Sequence, residues 1–148
     1  MGTRNLLLIM LLLCQWAFPA QAADSRLVVV ASAKSSIHDL TTNEVRRAYL
    51  GVAVINDGQE LLPVRNASDA LLKEIFLQKV LFMSANQYER HMVTRVFRGG
   101  GERIPEHIDM QQLVNELQAD HRKITFMRGD TAAATPGVKI VGELWRGQ

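Results

Sequence analysis

Apolar and polar positions change texture several times along this chain, and each change predicts an element. Residues 27–31, Leu-Val-Val-Val-Ala, are apolar without alternation, the pattern of a strand buried on both faces. Thr41-Thr-Asn-Glu44 then forms a capping box, opening a helix that carries Val45, Ala48 and Tyr49 and stops at Gly51. Asn56-Asp57-Gly58 predicts a turn, and residues 60–64 a short strand. A long helix is expected over 69–82, with Ser68 as N-cap and Leu72, Ile75, Phe76 and Leu77 on its buried side. Ser84 to Gln87 is a second capping box, opening a helix to about Phe97 that Gly99-Gly-Gly101 ends in a flexible loop. Asp109 caps a last helix with Leu113, Val114 and Leu117. Two short strands, 123–127 and 138–141, flank a small-residue loop at 129–137. Strands alternating with helices predict one α/β domain whose sheet is covered on both faces.

The first 22 residues have a different texture. Arg4 supplies a positive start, residues 6–18 are apolar except Gln15, and Ala20-Gln21-Ala22 is a small-x-small cleavage site. We read residues 1–22 as a signal peptide and 23–148 as the domain, exported to the periplasm with no membrane insertion after cleavage. The apolar run is too short for a bilayer that needs roughly 20 residues. Two alternatives stand beside this reading: an uncleaved anchor, and a lipoprotein at Cys14, where Leu13 occupies the position that wants a small residue. Cys14 is the only cysteine, so cleavage leaves no thiol catalyst, disulfide or Cys-based zinc site.

Composition narrows function further. The 148 residues are 47% hydrophobic and 22% charged, with a formal net charge of +2, which excludes the basic field that nucleic acid requires. The four histidines, His38, His91, His107 and His121, lack metal-ligand spacing, so neither a metal nor a cofactor is expected. Ser68 has no nucleophile elbow around it. Arg98 and Gly99 to Gly101, with Arg103, lack the preceding strand and the Gly-Lys-Ser/Thr ending of a phosphate loop, so a helix terminus with a hinge is expected.

One position does assemble chemistry. Arg65 follows a strand at its carboxyl end and Ser68 begins a helix, the place where α/β sheets bind ligands. The Arg65 guanidinium, the Ser68 hydroxyl and the free amides of Asp69, Ala70 and Leu71 would converge on a small anion. Against this, the Asp69 carboxylate competes for the same amides.

At these residues the chain resembles a known family. "LTTNEVRRAYLG" followed by "NDGQELLPVRNASDALLKEIF" is similar to the second lobe of the phosphate-binding proteins that serve ABC importers. Tyr49-Leu50-Gly51 matches a helix-ending element of that family, and Asp57-Gly58 its acidic turn. Asn66 to Ala70 fills its Arg-x-x-x-Ser-Gly-Thr region, and Phe126 an aromatic slot in a later strand. Thr135-Pro136-Gly137 echoes its Pro-Gly. Asn56 stands near the family's tryptophan, Ser68-Asp69-Ala70 replaces Ser-Gly-Thr, and the Arg-to-Ser spacing is one residue shorter. The resemblance implies a single lobe of the type II periplasmic-binding fold, a mixed sheet flanked by helices. It also implies a non-enzymatic solute-binding protein for phosphate or a similar oxyanion, working with a membrane transporter. The alternative is a periplasmic adaptor or sensory partner that kept the fold and binds protein.

Overall fold

The computed structural model describes residues 24–147. The signal-peptide assignment, its cleavage at Ala22 and Cys14 lie outside the described residues. Strand β1 (Arg26–Ser32) is the spine of the fold, and Leu27 to Ala31 are all buried. Leu27, Val29 and Ala31 enter the larger core, while Val28 and Val30 enter a second core on the opposite face. The unbroken apolar run is therefore used on both sides, as strand geometry requires.

Helix α1 (Thr42–Tyr49) starts at its capping box, with Glu44 Oε2 accepting the Thr41 N–H at 2.9 Å. It ends at Leu50 and Gly51, whose φ is +86°. The strand expected over 60–64 is broken between Glu60 and Leu62. β2 (Ile55–Asn56) and β3 (Gln59–Glu60) form a hairpin, and β4 (Leu62–Pro63) joins the sheet edge. β5 (Arg65–Asn66) then leaves that sheet and pairs with β6 (Glu106–His107).

Helix α2 (Ala70–Phe76) is capped by Asp69, not by Ser68 as expected. The Asp69 carboxylate accepts the Leu72 N–H at 3.0 Å, while the Ser68 hydroxyl is held by Asn66 Oδ1 at 2.6 Å. The long helix expected to reach 82 loosens into a π turn (Leu77–Leu81) that ends at Phe82, φ +55°. That turn buries Leu77, Val80 and Leu81 together.

Helix α3 (Ala85–Gly99) opens with the Ser84–Gln87 box and ends at Gly100, φ +64°. Helix α4 (Met110–Ala119) is capped by Asp109 and packs Leu113, Val114 and Leu117 into the second core. β7 (Lys123–Arg128) leads directly into α5 (Gly129–Ala134), where a loop was expected. The run Thr131-Ala-Ala-Ala134 explains the helix, because alanine has the highest helix propensity. β8 (Val138–Arg146) runs five residues beyond the expected 141.

The four-stranded sheet has the order β4-β7-β1-β8, with β1 antiparallel to both neighbours and β4 parallel to β7. The chain is thus a mixed α/β domain whose sheet is flanked by helices. Its larger core centres on Tyr49, Phe76 and Phe126. The two phenylalanine rings stack 3.9 Å apart, and Tyr49 meets Phe76 edge-on at 4.7 Å. The Tyr49 hydroxyl donates to Val64 O at 2.7 Å, tying α1 to the segment that leads into β5.

Candidate functional site

Asn66 organises the site. Its Nδ2 donates to Phe126 O at 2.9 Å, anchoring β5 to β7, and its Oδ1 accepts from the Ser68 N–H and hydroxyl. With Asn66 fixed, Arg65 points toward α3. Arg65 is 7% exposed, its Nη1 donates to Glu89 Oε1 at 2.6 Å, and its Nε lies 3.7 Å from Glu106 Oε2. The guanidinium also sits 5.8 Å from the centre of the Tyr88 ring. Glu89 in turn pairs with Arg103, and Glu106 with Lys73 at 2.8 Å. Five charges alternate in sign along Arg103, Glu89, Arg65, Glu106 and Lys73, with the buried Arg65 at the centre.

This arrangement follows from the cost of burying an unpaired charge. The hydrogen bond from Arg65 holds the Glu89 carboxyl below its ordinary range, so it stays ionised opposite the guanidinium. Burial pushes the Tyr88 phenol upward, which keeps it neutral. A small cavity of about 80 Å³ lies here between Arg65, Phe76, Tyr88 and Phe126.

Two of the expected anion ligands, Arg65 and Ser68, have internal partners, although Arg65 Nε makes no hydrogen bond. Arg65 is held by Glu89 and Glu106, and Ser68 donates to Asn66. Asp69 fills the start of α2, whose first residue is Ala70. The Asp69 carboxylate accepts the Leu72 N–H and so places a negative charge at the start of α2.

The histidines are distributed over different elements. His38 Nδ1 lies 2.8 Å from Ser36 O, His91 Nε2 2.9 Å from Leu50 O, and His107 Nε2 2.9 Å from Glu116 Oε2. No group of three His, Cys, Asp or Glu side chains with metal-holding geometry occurs among the described residues. Gly99 ends α3 and Gly100 caps it, and Arg103 turns to Glu89, so the glycine segment is a helix terminus.

The outer face of α3 escaped sequence reasoning. Tyr88 and Met92 are its buried stripe, while Val93 is 44% and Phe97 86% exposed. Arg90 and Arg98 lie beside them, exposed and without an ion-pair partner among the described residues. The trace in the sequence is a second apolar pair, 93 and 97, four residues apart and out of phase with 88 and 92.

No protein-family model matches the chain. No curated protein matches it in sequence. The fold is similar to that of an ABC-type phosphate transport receptor from Vibrio cholerae, with a TM-score of 0.47 and 13% identity. The match covers 80% of this chain and 46% of the receptor, so the chain spans about half the receptor's length. At that distance the receptor's ligand does not transfer. Among the described residues no helix is long and apolar enough to cross a membrane.

Proposed function

We propose that this chain is an exported, non-catalytic adaptor domain that docks on another protein through the outer face of α3. The observation that carries the reading is Phe97, 86% exposed on the same helix as Val93, with Arg90 and Arg98 also exposed there and without an ion-pair partner among the described residues. An apolar centre with a charged rim is the anatomy of a docking surface. The rim selects the partner. A second copy meeting this face would bring like charges together, whereas an apolar pocket ringed by Asp and Glu matches both features. Export rests on the leader-like residues 1–22.

An oxyanion at Arg65, Ser68, Asp69 and Ala70, delivered to a transporter, is the reading this one replaces. Such an ion would have to compete with Glu89 for Arg65 and would meet the Asp69 carboxylate at the start of α2.

A photo-crosslinking amino acid placed at Phe97 tests the proposal in cells. The expected result is one discrete adduct that is absent from the same probe at Ile108, exposed elsewhere, and is lost in Arg90→Glu/Arg98→Glu. Equal labelling from positions 97 and 108, or an adduct with the mass of two copies of this chain, would overturn it.

A further inference from the structure

Beside β4 the strand pairing fails for a reason visible in the sequence. In the parallel β5–β6 pair, Arg65 N–H donates to Pro105 O at 2.8 Å and Ala67 N–H to His107 O at 2.8 Å. One rung earlier, that ladder would need an N–H from Pro63 and another from Pro105. Neither residue has one. A cleft of about 280 Å³ opens between residues 61–63 and 102–105. It lies at the amino-terminal ends of β4 and β7, the opposite end of those strands from Ser68 and Asp69.

Three cations line the cleft, Arg95, Arg103 and Lys123. Arg103 is paired with Glu89 and Lys123 with Glu116. Arg95 has no ion-pair partner among the described residues, and its side chain runs past two glycines. A Cβ at Gly51 would fall 1.8 Å from Arg95 Nε, and one at Gly101 3.4 Å from its Nη2. The guanidinium therefore lies against two stretches of bare backbone at the cleft wall. Leu61 and Ile104, both nearly buried, supply an apolar floor. Glu60 and Glu102, both exposed, stand at the rim and raise the cost of a second negative charge on a ligand.

We propose that this cleft binds a small monocarboxylate with a compact apolar body, its carboxylate on Arg95 and its body against Leu61 and Ile104. The fork of guanidinium donors matches a carboxylate. The volume is at the lower end of ordinary ligand sites. Arg95 is two residues from Phe97, about 200° around α3, so the cleft and the docking face are separate surfaces of one helix. The proposal goes beyond the adaptor reading and does not depend on it.

The test is an NMR titration of the exported chain with 4-methylpentanoate, following the Gly51 and Gly101 amides. Saturable shifts in the millimolar range are expected, weakened about tenfold or more in Arg95→Met and about unchanged in Lys79→Met. Ala53→Trp, which fills the cleft and leaves Arg95 in the sequence, should also abolish them, and it serves where Arg95→Met does not fold. Inorganic phosphate at matched ionic strength should leave both amides unmoved. The proposal is overturned by an absence of saturation up to about 20 mM, by wild-type affinity in Ala53→Trp, or by equal binding of phosphate.

Discussion

Arg65 Nη1 and Glu89 Oε1 lie 2.6 Å apart and join β5 to α3, two elements with no predicted relation in the sequence. The pair is asymmetric. The arginine side chain is 8% exposed and the glutamate 42%, so the cation bears the burial and the carboxylate keeps contact with water. Glu106 stands behind as a second counter-charge at 3.7 Å.

Stability should fall in acid through this pair. The Glu89 pKa is lowered in the fold by the Arg65 hydrogen bond, so the unfolded chain binds more protons than the native one as the pH drops. The contribution is complete above the unfolded value, about 4.3, and is lost as pH falls through the lower folded value. Glu116, lowered mainly by Lys123, acts in the same direction. Glu89→Gln should cost about 1–2 kcal/mol at neutral pH, a modest loss because Glu89 is partly exposed and Glu106 remains. Urea melts from pH 7 to 3 should show the gap to wild type closing below about pH 4.5. A pH-independent gap would contradict the pairing.

The α2 cap gives a second expectation. Asp69→Ala removes the acceptor for Leu72 N–H and should cost about 1 kcal/mol, within the usual range for a lost N-cap. Ser68→Ala should cost less, about 0.5 kcal/mol, because Asn66 Oδ1 keeps the Ser68 N–H. Chemical denaturation of the two variants decides the order, and a larger loss at Ser68 would restore the sequence-based assignment.

Phe76 is 2% exposed, stacked on Phe126 and edge-on to Tyr49. Phe76→Ala should therefore cost about 3–5 kcal/mol. Thermal unfolding checks this, and a loss under about 1 kcal/mol would mean that the aromatic cluster is not the core.

What was legible in the sequence was local. The apolar run at 27–31 and the boxes at Thr41 and Ser84 specify their elements through neighbouring residues alone. Adjacent Ser68 and Asp69 are both good caps, and the choice falls to Asn66, whose side chain claims the serine. Arg65 was expected just past the carboxyl end of a strand but is the first residue of β5, and its direction depends on β6, two residues long and 41 positions away. Strands that short leave no periodicity to read, and such pairings are fixed by tertiary contact. In α5 the helix signal of the alanine run is offset by Gly129 and Gly137 on either side, and packing decides for the helix.

The central claim is that Arg65 is a structural cation, already neutralised from within. Thermal melts of wild type and Arg65→Met in 10 mM phosphate against ionic-strength-matched chloride test it most directly. A site of about 1 mM affinity would add about 1.4 kcal/mol at that concentration. The account predicts no phosphate-specific rise in Tm for either protein. A rise in wild type that disappears in Arg65→Met would contradict it and return the oxyanion to this site.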